Sequence, residues 1–92
     1  MKRKNNQNKI ILVTGCGGFI GFHLCFKLLE MNFKVIGIDN LNNYYSEKLK
    51  KERLKILNEF KKFTFYKIDI VKDIEKIKYL FKKNNFFSVF HL

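Results

Sequence analysis

The chain is 92 residues long and 47% hydrophobic, with 11 Phe, 4 Tyr and no Pro. That length allows one small domain, which buries only about 60–70% of its unfolded surface, and the composition excludes a disordered chain. The formal net charge of +11 invites a nucleic-acid reading, but the absence of an Arg cluster or an RNA-binding aromatic signature argues against that partner.

The charge has a simpler source. Lys, Asn, Ile, Phe and Tyr make up 52 of the 92 residues, and all five have A/T-rich codons. The 17 Lys, against 2 Arg, are scattered over every polar face.

Residues 1–8 are polar and basic and read as a tail preceding a partial domain over 9–92 that is expected to stop after a fourth strand. Lys2, Arg3, Lys4 and Lys9 precede an uncharged run over 10–26 that mimics a signal peptide or membrane span. The run carries four glycines, Thr14 and His23, and is shorter than the ~20 apolar residues a span needs. The expectation is a cytoplasmic protein with no membrane partner. Cys16 and Cys25 have no metal-ligand spacing. On a helix starting near Gly18 they lie about 10 Å or more apart, beyond disulfide reach. They read as two reduced, buried thiols.

Ile10-Ile11-Leu12-Val13 is a short apolar run with β-branched residues, the pattern of a strand buried on both faces. From Gly18 to Met31 the spacing is helical, with Ile20, Leu24 and Leu28 as a stripe and Cys25 and Leu29 beside it. Asn32 suits a left-handed helix end. Lys34 to Asp39 is a second strand, and residues 40–45 form a polar and aromatic loop. Ser46 is the expected N-cap of a second helix over 47–60, with Leu49, Leu54, Leu57 and Phe60 inward and Glu47 paired to Lys51 outside. Phe63 to Asp69 is a third strand. Asp73 caps a third helix reaching about Asn84, with Ile74, Ile77 and Phe81 inward, and Phe86 to Leu92 is a fourth strand. Strands alternating with helices of this length imply an α/β fold with a parallel sheet. The expected strand order is 3-2-1-4, with a ligand crevice between strands 1 and 4.

The chemistry lies in the first strand-to-helix turn, Gly15-Cys16-Gly17-Gly18-Phe19-Ile20-Gly21. Glycines there permit a sharp turn and close backbone approach to a pyrophosphate, and the helix start offers free N–H groups and a positive dipole end. Asp39 ends strand 2, eighteen residues after Gly21. A carboxylate at that place can accept from both hydroxyls of an adenosine ribose and repels a 2′-phosphate. No Arg follows it directly, so NAD is expected rather than NADP. The fold class is thus the N-terminal half of a Rossmann fold, with helices on both sheet faces.

The glycines fall at 15, 18 and 21, and Thr14-Gly15-x-x-Gly18-Phe19-Ile20-Gly21 resembles the extended short-chain dehydrogenase/reductase family of NAD-dependent nucleotide-sugar epimerases and dehydratases. Residues 38–45, Ile-Asp-Asn-Leu-Asn-Asn-Tyr-Tyr, with Leu49, Arg53 and Leu54, look most like the UDP-glucuronate 4-epimerases. The resemblance implies that Asp39, Asn40, Leu41, Asn42 and Asn43 wrap the adenosine ribose, and that Asp69-Ile70 contacts the adenine. Phe90-His91-Leu92 resembles the start of the fourth-strand His-Leu-Ala-Ala segment, and Cys16 replaces the usual small residue. With Gly15, Gly18, Phe19, Ile20 and Gly21, these residues form the expected cofactor site. Epimerisation of nucleotide sugars for surface polysaccharide is the implied activity, a UDP-sugar the implied second ligand, and family members are often homodimeric.

The family's proton-transfer residues, a Ser or Thr and a Tyr-x-x-x-Lys pair, are expected outside this chain. Tyr44 to Lys48 and Tyr79 to Lys83 match that spacing but read as chance, at about 0.7 matches expected for this composition. His23 and His91 read as structural. The alternative to an inactive cofactor-holding part is a stand-alone NAD-binding module, or a half-enzyme completed by a second polypeptide.

Overall fold

The computed structural model describes residues 6, 8–42 and 47–92. Seven elements alternate along the chain: β1 (Ile10–Thr14), α1 (Phe19–Glu30), β2 (Lys34–Asp39), α2 (Glu47–Leu57), β3 (Phe63–Lys67), α3 (Ile74–Lys83) and β4 (Phe86–His91). They form one parallel four-stranded sheet of order β3-β2-β1-β4, the expected order. Parallel register brings Thr14 opposite both Ile38 and His91, and Asp39 opposite Lys67, so these strand ends share one edge.

Strand alternation divides the core into two layers. Ile11, Val13, Val35 and Phe63 face α1 and α2, where they meet Cys25, Leu28, Leu29, Leu54 and Leu57. Leu12, Ile36, Ile38 and Ile68 face the other way and meet Leu80 of α3. Each fully buried aliphatic side chain contributes about 1.5–3 kcal/mol relative to exposure. Because β1 is buried on both faces, truncating Leu12 costs on the order of 2–5 kcal/mol.

Three helix faces differ from the sequence reading. On α1 the buried residues are Gly21, Cys25, Leu28 and Leu29, while Ile20 is 68% exposed. Gly21 sits against the Gly15 backbone, and this fixes the rotation of the helix about its axis. Ile20, about 100° away at 3.6 residues per turn, then points off the sheet. On α2 Leu54 and Leu57 are buried and Phe60 packs against their cluster, but Leu49 is exposed. On α3 the inward pair is Ile77 and Leu80, whereas Ile74 and Phe81 are 49% and 47% exposed. Phe81 instead meets Phe86 edge-on, with ring centroids 5.0 Å apart.

Local signals fared better. Asn32 adopts φ 71° and ends α1, as its short polar side chain permits. Lys51 lies 3.5 Å from Glu47 on the exposed side of α2, a pair worth roughly 0.3–0.5 kcal/mol. Ser46 lies outside the described residues. In β4 the register shifts between Ile10 and Ile11, skipping Phe87, and Lys9 Nζ lies 4.6 Å from the Phe87 ring centroid. Asn6 of the basic tail is anchored, its amide donating to the Met31 carbonyl at 2.8 Å. Among the described residues no helix is long and apolar enough to cross a membrane.

Candidate functional site

The sequence leaves β1 at Thr14 and must reverse into α1 within four residues. Gly15 provides this by adopting φ +70°, a conformation that costs a side-chain-bearing residue roughly 1–2 kcal/mol. The Gly15 and Cys16 N–H groups both donate to the Ile38 carbonyl, at 2.8 and 3.2 Å. The turn is thereby tied to the end of β2. Gly18 N–H returns to the Gly15 carbonyl at 3.1 Å. At Gly21 a Cβ would overlap the Gly15 carbonyl oxygen, so only glycine lets the helix approach the turn this closely.

The start of α1 is bare of competing groups. Gly18 is its N-cap, no side chain caps it, and its first turn has no acidic residue. The first N–H groups of a helix have no intrahelical acceptor, and with the dipole they favour an anion. Phe19 and Ile20 turn outward, leaving the backbone to line the turn. This donor set fits a pyrophosphate.

Asp39 lies beside the turn with its side chain only 2% exposed. Its Oδ2 accepts the Gly17 N–H at 2.9 Å. Its Oδ1 accepts the Leu41 N–H at 2.8 Å and the Lys50 ammonium at 3.1 Å. Leu41 holds φ 59°, and the Asn40 side chain accepts the Asn42 N–H at 2.8 Å. The loop after β2 thus curls back on its own acceptors.

Asp69 and Ile70 follow β3 at the same edge. Asp69 Oδ1 accepts the N–H groups of Val71 and Lys72 at 2.8 and 3.1 Å. These bonds hold its carboxyl below the usual carboxylate range and help end the strand at Lys67 rather than Asp69. Asp73 begins α3, but its side chain does not cap that helix. Its Oδ2 accepts the Asp69 N–H at 2.9 Å.

These groups border two adjoining clefts. One, of about 180 Å³, is lined by Thr14, Gly15, Asp39, Asn40, Lys50 and Ile70 among others. The second, of about 400 Å³, runs along Gly15, Gly18, Phe19, Ile20 and Gly21 and again reaches Asp39 and Lys50. Of the expected cofactor site, Gly15, Gly18, Phe19, Ile20, Gly21, Asp39, Asn40 and Ile70 therefore line these clefts. Leu41, Asn42 and Asp69 are not among the lining residues, and Asn43 falls outside the described residues. At the β1–β4 junction Thr14 Oγ1 lies 2.9 Å from His91 Nδ1 and accepts the Leu92 N–H at 3.0 Å. His23 is exposed and lies edge-on to Phe19 and Phe22.

Three features escaped the sequence reading. Lys50 pairs with Asp39. Arg53 donates to the Gly17 carbonyl at 3.0 Å, and its guanidinium lies 5.9 Å from the Phe19 ring centroid. Thr14 joins β1 to β4 through its hydroxyl. Lys50 and Arg53 are three residues apart on α2 and so share a face. Arg53 stood among the residues that carry the family resemblance, but its bond to the turn was signalled only by that spacing, which is weak in a helix so rich in lysine.

Cys16 and Cys25 are both free and fully buried. Burial pushes both thiols up, Cys25 to about 12. Among the described residues no group of His, Cys, Asp and Glu could hold a metal ion.

Residues 12–92 match the family described as GDP-mannose 4,6 dehydratase. The chain is 54% identical over 71 residues to an uncharacterized protein of Methanocaldococcus jannaschii, covering 75% of this chain and 20% of that protein. It is 41% identical over 81 residues to the UDP-glucuronate 4-epimerase of Thermodesulfobacterium geofontis, covering 88% of this chain and 25% of that protein. Among solved structures, the UDP-glucuronic acid 4-epimerase of Bacillus cereus, in complex with UDP-glucuronic acid and NAD, superposes with a TM-score of 0.75 at 36% identity. That match covers 90% of this chain and 26% of the epimerase. The chain thus spans about a fifth to a quarter of the length of these relatives. With its 3-2-1-4 sheet and glycine turn, the chain belongs to the NAD-using nucleotide-sugar epimerase and dehydratase family, of which it carries the N-terminal, Rossmann-type part.

Proposed function

We propose that this chain is the NAD-holding part of a nucleotide-sugar 4-epimerase acting on UDP-glucuronate, in sugar interconversion for surface polysaccharide. The observation that carries the proposal is the joining of the glycine turn to Asp39. An uncapped helix start suited to a pyrophosphate and a buried carboxylate suited to a ribose lie on one rim, linked by the 2.9 Å bond from Gly17 to Asp39. In this reading Gly15, Gly18, Phe19, Ile20 and Gly21 present backbone to the phosphates. Asp39 through Asn43 surround the adenosine ribose, and Asp69-Ile70 meets the adenine. The similarity to UDP-glucuronate 4-epimerases supports the choice of sugar.

When bound, NAD would supply a reversible hydride acceptor for the sugar alcohol, and the glycine turn and Asp39 are the groups that would hold it. The 92 residues supply the grip and not the proton transfer. Tyr79, one of two tyrosines with a lysine four residues on, lines a groove between β3 and α3 that shares only Ile68 with the smaller cleft. The Lys83 ammonium lies 5.5 Å from the Tyr79 ring centroid. Tyr44, the other, lies outside the described residues.

Calorimetric titration of the folded chain with NAD tests the reading, paired with an assay for conversion of UDP-glucuronate to its 4-epimer. Saturable NAD binding without turnover is the expected result. A folded chain that does not bind NAD overturns the cofactor-holding role, and turnover overturns the inactive part.

A further inference from the structure

The lysines of this chain are spread over its whole length, but its acids are not evenly placed in the fold. Asp39, Glu47, Asp69, Asp73 and Glu75 stand at the end of the sheet that carries the clefts. The four ion pairs among the described residues are there too, on Asp39 or in the first halves of α2 and α3. The opposite end differs. Lys9, Lys34, Lys61 and Lys62 stand at the starts of β1, β2 and β3, and Lys27 and Lys55 occupy the last turns of α1 and α2. Short bonds join these starts into one face. Lys34 N–H donates to the Lys9 carbonyl at 3.0 Å and Val35 N–H to the Lys62 carbonyl at 2.9 Å, while Lys62 Nζ reaches the Asn32 side-chain oxygen at 2.7 Å. The acids at this end are Glu30 and Glu59, and among the described residues none of the six lysines is in an ion pair. A helix C-terminus carries about half a negative charge, which offsets only part of the surplus.

Distance separates the two ends electrically. Strands of this length span roughly 17–20 Å, about twice the Debye length of ~8 Å at physiological ionic strength. The acids at the cleft end therefore do little to cancel the lysines at the other. Two exposed apolar side chains lie among those lysines: Met31, 39% exposed, and Phe87, 59% exposed and 4.6 Å from the Lys9 ammonium. We propose that this end of the sheet is a docking face for an anionic lipid surface, holding the chain with its clefts turned away from the lipid. Lysines act there as point charges that need no fixed partner geometry, and Met31 and Phe87 add apolar contact at the headgroup boundary. Nucleic-acid readout favours Arg forks, and among the described residues this face has none. The contact is peripheral and needs no spanning helix; it departs from the sequence expectation of no membrane partner.

The test is co-sedimentation of the 92-residue chain with vesicles of phosphatidylcholine alone, or of phosphatidylcholine with about one-third phosphatidylglycerol. The anionic vesicles are expected to bind it and the neutral ones not, with binding falling at least tenfold between about 0.1 and 0.5 M salt. K27E/K34E/K61E reverses three exposed lysines and is expected to lose about 100-fold or more, from roughly a fivefold loss per lysine. K48E/K72E/K78E makes the same change in net charge at the other end of the chain's helices and is expected to lose less than about tenfold. Circular dichroism confirms each fold. Failure to bind anionic vesicles, equal binding to neutral ones, or equal losses in the two triple variants overturns the proposal. So does tighter binding, per phosphate, to DNA at about 0.15 M salt, which would mark the face as a nucleic-acid surface. If K27E/K34E/K61E does not fold, K34E and K61E singly carry the comparison, and no loss in either overturns the proposal. The NAD reading is tested separately, because none of the substituted lysines lines either cleft.

Discussion

Asp39 Oδ2 accepts the N–H of Gly17 at 2.9 Å, a bond between residues 22 apart in sequence. It joins the end of β2 to the middle of the glycine turn, so the loop suited to the phosphates is tied directly to the carboxylate suited to the ribose. Arg53 closes the same turn from the other side, through the Gly17 carbonyl. The peptide groups flanking Gly17 are thus held by two side chains from two different elements.

Replacing Asp39 with Ala removes the acceptor for Gly17, Leu41 and Lys50 together. Breaking a buried ion pair by deleting one partner costs about 3–5 kcal/mol, and the partial exposure of Lys50 puts this case toward the lower end. Urea unfolding of D39A is expected to show that loss as a lower midpoint with an unchanged slope.

Two glycines of the turn separate space from conformation. A Cβ on Gly21 would lie 2.8 Å from the Gly15 carbonyl carbon and overlap its oxygen, whereas one on Gly18 would meet only the Gly15 oxygen at 3.4 Å. Gly21→Ala is expected to cost about 1–3 kcal/mol or more, as overpacking does, and to weaken NAD binding. Gly18→Ala costs under about 1 kcal/mol. Thermal melts and NAD titration of the two variants check the contrast.

The buried thiols predict an alkaline limit to stability. Cys25 is raised from an ordinary 9.0 to about 12, and Cys16 is raised further, in each case mainly by burial. A raised folded-state value favours the neutral thiol, so its contribution is complete below pH 9. It is lost as pH rises from 9 toward 12, because the unfolded chain ionises first. Denaturant midpoints measured from pH 8 to 11 are expected to fall over that range, and a C25A variant is expected to fall less. At neutral pH a thiol reagent is expected to label the unfolded chain far faster than the folded one.

β4 pairs only with β1 among the described residues, and Phe87, Val89 and Phe90 along it are exposed. An open apolar edge templates pairing with another chain. The 92-residue chain is expected to self-associate as concentration rises, visible in sedimentation velocity. Val89→Lys is expected to reduce that association while leaving the circular dichroism spectrum unchanged, since a charged residue on an edge opposes strand addition.

The elements and their order were legible because each carries a local signature. β1 is a continuous apolar run, Asn32 tolerates a positive φ, and the glycines announce a turn that no side chain could make. The rotation of the helices was not legible. Ile20, Ile74 and Phe81 fit an apolar stripe as well as their neighbours do. Only the contact of Gly21 with Gly15 and the placement of Leu80 over the sheet decide which face turns inward.

By itself the sequence determined that a phosphate-suited turn, a strand-end carboxylate at Asp39 and an Asp-Ile pair at the end of β3 lie in a βαβ frame, because residue type and spacing along one chain suffice for that. Tertiary structure alone decided the company Asp39 keeps. Lys50 lies 11 residues downstream on a separate helix. Its ammonium reaches the carboxylate only because α2 packs beside the glycine turn, and electrostatic neutralisation depends on distance in space rather than along the chain.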